Sequence, residues 1–140
     1  MIAHGLDVFD RTVHKTYGWL ADLSRALGVD DRQVAYRALR ATLHALRDRL
    51  TVEEVAQLGA QLPMLVRGFY YEGWDPTAKP LKLRHKDEFV AYIASEFTNG
   101  EVDPERAARA VFGLLAQRIS AGEIKDVKHV LPAEVRQLWP

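Results

Sequence analysis

Apolar positions recur at helical spacing along almost the whole chain. From Val8 to Leu27, Phe9, Val13, Tyr17, Leu20, Leu23 and Leu27 fall at steps of three or four, which predicts one apolar helix face. Gly28 then suits a left-handed C-terminal stop. Asp30 and Gln33 have capping-box spacing and open a second helix through about Asp48, with Val34, Ala38, Leu39, Thr42, Ala45 and Leu46 as its stripe. Thr51-Val-Glu-Glu54 is a further capping box, and Ser120-Ala-Gly-Glu123 has the same form. Pro63, Pro104 and Pro132 suit first helical positions, where no amide donor is needed. No segment alternates as a strand would.

The pattern also repeats. Arg37–Tyr70 laid over Arg106–Trp139 needs no gap, and Arg37, Ala38, Arg40, Ala41, Leu46, Arg49, Glu54, Leu62, Pro63, Val66 and Arg67 all meet identical residues. A repeat of this length reads as one supersecondary unit used twice. The predicted helices are Val8–Leu27, Asp31–Asp48, Val52–Gly59 and Pro63–Tyr70, then Lys86–Phe97, Pro104–Gln117, Ala121–Lys128 and Pro132–Trp139. The expected fold is all-α: two tandem four-helix repeats, 8–72 and 86–140, packed as one pseudo-symmetric helical domain. The linker 73–85 carries a glycine, two prolines and Trp74, so it should pack against the domain.

Two stretches within this pattern resemble a known family. Tyr36–Leu50 (YRALRATLHALRDRL) and Gln57–Pro76 (QLGAQLPMLVRGFYYEGWDP) look like the bacterial family catalogued as domain of unknown function 2267. VFDRTVHKTYGWL near the start and AGEIKDVKHVLPAEVRQLW at the end look like the same family. The resemblance covers nearly the whole chain and implies a small all-helical bacterial protein. It brings no accepted activity or catalytic residues.

Composition narrows the function classes. The 140 residues carry 19 basic and 19 acidic side chains, so net charge gives no support to a nucleic-acid or anionic-membrane partner. Without cysteine there are no disulfides, thiolate metal sites or cysteine nucleophiles. No apolar run is long enough to span a bilayer, and Met1–Thr12 carries Asp7 and Asp10 without a basic or apolar signal region. The expected location is cytoplasmic, with no membrane association.

Candidate chemistry is sparse. Ser24, Ser95 and Ser120 sit in no nucleophile elbow, and Ser120 reads as a helix cap. Asp10 with His14 and Asp126 with His129 lie on unrelated parts of the repeat, and His44 aligns with Gly113, so no metal site or other cofactor is expected. Phosphate-cradling glycine motifs are missing. The chain is therefore expected to be no enzyme.

Three features remain. Tyr71, Glu72 and Trp74 extend beyond what the repeat requires and form the candidate interaction surface. Lys79, Lys82, Arg84 and Lys86 are candidate polyanion contacts. The arginines Arg37/Arg106, Arg40/Arg109, Arg49/Arg118 and Arg67/Arg136 repeat in both halves and read as structural, with Arg49 and Arg118 expected to satisfy carbonyls at helix ends. The leading functional expectation is a protein-interaction or adaptor module with another protein as partner. A nucleic-acid or polyanion binder comes second, and a small-ligand site between the halves third. A two-fold homodimer through the interaction surface is a further expectation.

Overall fold

The computed structural model describes residues 6–97 and 102–140. Those residues form helices α1 (Asp7–Leu27), α2 (Arg32–Arg49), α3 (Val52–Gln61), α4 (Met64–Tyr71), α5 (Lys86–Ala94), α6 (Pro104–Arg118), α7 (Ala121–His129) and α8 (Ala133–Arg136), with no strand among them. The all-α expectation is met. Helix starts follow local chemistry. Thr51 Oγ1 accepts from the Glu54 amide at 3.2 Å, Ser120 Oγ from the Glu123 amide at 3.3 Å, and Asp103 from the Arg106 amide at 3.0 Å. Gly28 ends α1 with φ 68°.

Three local expectations are corrected. Asp31, rather than Asp30, caps α2, because its carboxylate reaches the Gln33 amide at 2.8 Å while Asp30 lies outside the turn. Pro63 and Pro132 are the caps themselves, and their helices begin one residue later. The fifth helix stops at Ala94 rather than Phe97.

α2 is the centre of the molecule. Its residues from Ala41 to Asp48 are all buried, and it packs against α1, α4, α5 and α6. Helices from the two predicted repeats interleave: α2 meets α6, α3 meets α7, α1 meets α6 and α5 meets α2. Phe112 is fully buried, stacked on Trp139 at 4.2 Å and tilted toward Phe89 at 6.0 Å. A helical stretch buried on every side, as Ala41 to Asp48 is, needs partners for its polar groups. His44 Nε2 faces the Phe69 carbonyl at 2.7 Å and Nδ1 faces Glu96 at 3.2 Å. Arg47 donates to Asp48 and to the carbonyls of Tyr70 and Glu72, each at 2.8 Å, and Asp48 accepts from the Tyr92 hydroxyl at 2.5 Å.

The linker packs as its composition predicts. The Leu81 amide donates to the Asp48 carbonyl at 2.8 Å, and Trp74 and Leu83 lie against the core. The Lys79–Pro80 peptide bond is cis.

Candidate interaction groove

The apolar stripe of α1 is longer than the core that it serves. Thr16, Trp19, Leu20, Leu23 and Leu27 are buried. Phe9, Val13 and Tyr17, expected on the core face, are instead 54%, 42% and 48% exposed. The reason is geometric: the first turns of α1 run past the helices that cover its second half, so the same face meets solvent. The N-terminal end of α4 approaches there, tied by the Leu65 amide donating to Thr12 Oγ1 at 3.0 Å.

Between these elements lies a groove of about 520 Å³. Val13, Thr16, Tyr17 and Leu20 of α1 form one wall, with Leu65, Gly68 and Phe69 of α4 opposite and Tyr36 of α2 at the side. Tyr36 meets Phe69 edge-on at 5.2 Å, which fixes both rings. Nothing lies within 4 Å of where a side chain on Gly68 would begin, so this glycine keeps the floor open. With Phe9 one turn further along α1, the exposed Val13, Tyr17, Tyr36 and Leu65 leave a strip of large apolar side chains on the surface, and such a strip on a monomer usually has a use. Charged groups border it: Arg32 lies over the Tyr17 ring at 4.5 Å, and Arg40 pairs with the groove-lining Glu72 at 2.9 Å.

The structure separates the three residues of the expected interaction surface. Glu72 is exposed and lines the groove. Tyr71 packs between Tyr70 and Trp74, with ring centroids at 4.9 and 5.7 Å, and covers Gly59. Trp74 is half-buried against the core. These two rings fix the end of α4 rather than lining the groove. One signal of the groove was legible, the apolar stripe running from Leu20 back through Tyr17, Val13 and Phe9, but which part of it is covered is a tertiary property.

The basic candidates stand in different surroundings. Lys86 pairs with Glu105 at 3.3 Å, and the neighbouring His85 pairs with Glu134 at 2.7 Å, which raises the imidazole pKa and lowers that of the carboxyl. Lys79 is half-buried, and Lys82 and Arg84 are exposed. Arg84 stands near Arg49, whose pKa is lowered by burial first and by that like charge second. Arg49 Nε is buried with no hydrogen-bond partner among the described residues.

The expectation that Arg49 and Arg118 satisfy helix-end carbonyls is therefore overturned. Arg118 turns to Asp22 and lies over Trp19. Arg67 and Arg136 take the carbonyls instead: Arg67 donates to Gly59 at 2.7 Å and Leu62 at 2.9 Å, and Arg136 to Leu131 at 3.0 Å. Arg67 lies within α4 and Arg136 ends the short α8, the helices that follow those turns, so both side chains can reach back to the open carbonyls.

A family model described as an uncharacterised conserved protein, DUF2267, matches residues 16–138. The chain belongs to this family. Comparison with curated proteins gave no match. The match begins inside α1 at Thr16, so the exposed Phe9 and Val13 lie outside the matched segment while Tyr17, Tyr36 and Leu65 lie within it. No described helix is long and apolar enough to cross a membrane.

Proposed function

We propose that the protein is a non-catalytic interaction module whose groove between α1, α2 and α4 receives an amphipathic helix of a partner protein. The observation that carries this reading is the exposed strip Phe9, Val13, Tyr17 and Leu65 bordering a cleft with an aromatic floor. A partner helix with apolar side chains at i, i+3, i+4 and i+7 would lay them along such a strip. The buried polar groups of α2 support the same reading, because His44, Arg47 and Asp48 are held by protein partners rather than presented to a substrate.

The test is site-specific photocrosslinking in host cells, with a benzophenone amino acid at Tyr17 and a control at exposed Gln57 on α3. A discrete protein adduct at position 17, missing at position 57 and abolished by Gly68→Leu, supports the groove. Equal adducts at both positions, or persistence in Gly68→Leu, would overturn it. An adduct with a second copy of the chain would mean self-association instead.

A second reading, polyanion contact, is favoured by Arg49 and Arg84, two neighbouring guanidiniums of which the inner one has an unpartnered Nε. Polyphosphate binding that falls steeply with salt and is lost in Arg84→Gln would support it.

A further inference from the structure

The groove does not involve the seam where α3 and α7 meet, and that seam holds a second constellation. Glu54 and Glu123 are equivalent residues of the repeat, each three positions after its helix cap. In a complete capping box each carboxylate would reach back to the cap amide. Glu88 of α5 does so, with Oε1 accepting from the His85 amide at 3.1 Å and the Arg84 amide at 3.2 Å. Glu54 and Glu123 make only the forward half of the box, through their backbone amides. Their side chains turn inward to the seam.

There they are 4% and 6% exposed, and no donor from any other described residue reaches Glu54 Oε1 or Glu123 Oε2, so without a cation the two carboxyl groups have only each other, through a shared proton. Buried carboxylate oxygens so placed call for a positive partner, either a proton held between them or a cation that displaces it. Asp126, one turn after Glu123 on α7, adds an exposed third carboxylate, and ligand atoms from all three lie within 4.8 Å of one another. Two buried acids with a third at the solvent edge make a closed base and an open mouth. We infer that Glu54, Glu123 and Asp126 bind a hard divalent cation that clasps the two halves at the α3–α7 seam. All donors are carboxylate oxygens, which suits the magnesium, calcium and manganese class rather than a metal preferring nitrogen or sulfur. His129, paired by spacing with Asp126 in the sequence, does not belong to the cluster.

The experiment is titration of untagged, chelator-washed protein with Mn²⁺ at neutral pH and low ionic strength, following free Mn²⁺ by electron paramagnetic resonance. The expected result is one saturable site per chain, filled at or below about 1 mM. Asp126→Asn, an exposed substitution that leaves the fold intact, should weaken it at least about tenfold, as should Glu54→Gln and Glu123→Gln. Asp75→Asn, on an exposed acid of the linker, should leave it unchanged. Absence of a saturable site would overturn the inference and leave the acids as a proton-sharing contact. A site surviving Asp126→Asn, or weakened equally by Asp75→Asn, would overturn it too. A failure here leaves the groove untouched, because none of its residues takes part.

Discussion

Equivalent residues of the two halves take different work once packed. Arg67 and Arg136 both close turns, but Arg67 makes bonds to Gly59, Ala60 and Leu62 while Arg136 makes one to Leu131. Arg67→Ala should therefore cost about 2 kcal/mol, and Arg136→Ala about 1 kcal/mol, in urea unfolding. A larger loss for Arg136→Ala would contradict the assignment. Glycines divide as sharply. A side chain on Gly59 would begin 2.6 Å from the Tyr71 hydroxyl, whereas one on Gly68 meets open space. Gly68→Ala should raise stability by about 0.5–1 kcal/mol through helix propensity, and Gly59→Ala should lower it. Thermal melts of the two variants moving in the same direction would contradict the packing around Tyr71.

At the scale of elements, the α3–α7 contact has a pH signature. Burial, then Glu123, Asp126 and Glu53, raise the Glu54 pKa from 4.5 to about 7. Tyr70 also faces these acids. Burial and Asp126 raise Glu123 as well, with Glu54 opposing. A carboxyl group whose pKa is higher folded than unfolded holds a proton that the unfolded chain releases. Its contribution is full below about pH 4.5 and is lost as pH rises through about 7. Protein in chelator should thus lose on the order of 2 kcal/mol between pH 5 and 8, and Glu54→Gln should flatten that slope. A melting temperature that rises over this interval would contradict the assignment. The capping-box pattern made these glutamates visible as helix-start residues. It did not show that α3 and α7 would meet, and that meeting turns two local caps into a buried acid pair. For α1 the same limit applies. Its stripe was legible, while the exposure of Phe9, Val13 and Tyr17 depends on where α2 and α4 end.

At the scale of the whole molecule, one core joins both halves through α2 and α6. Phe112 is fully buried and meets both Phe89 and Trp139, so Phe112→Ala should cost about 3–5 kcal/mol and lower the single unfolding transition as a unit. Two separated transitions would mean that the halves fold independently. The all-α class and, to within a residue at Asp31, Pro63 and Pro132, the helix starts were set by the sequence alone, because apolar spacing, Ser, Thr and Asp caps and proline positions act over a few residues. The repeat was also legible, since it is a comparison of the chain with itself. Which part of an apolar stripe is covered, which arginine finds a carbonyl, and which acids face each other depend on distances between segments far apart in the chain. Only the tertiary structure decides those, because burial and electrostatic coupling arise from the elements that pack against a residue, not from its neighbours in sequence.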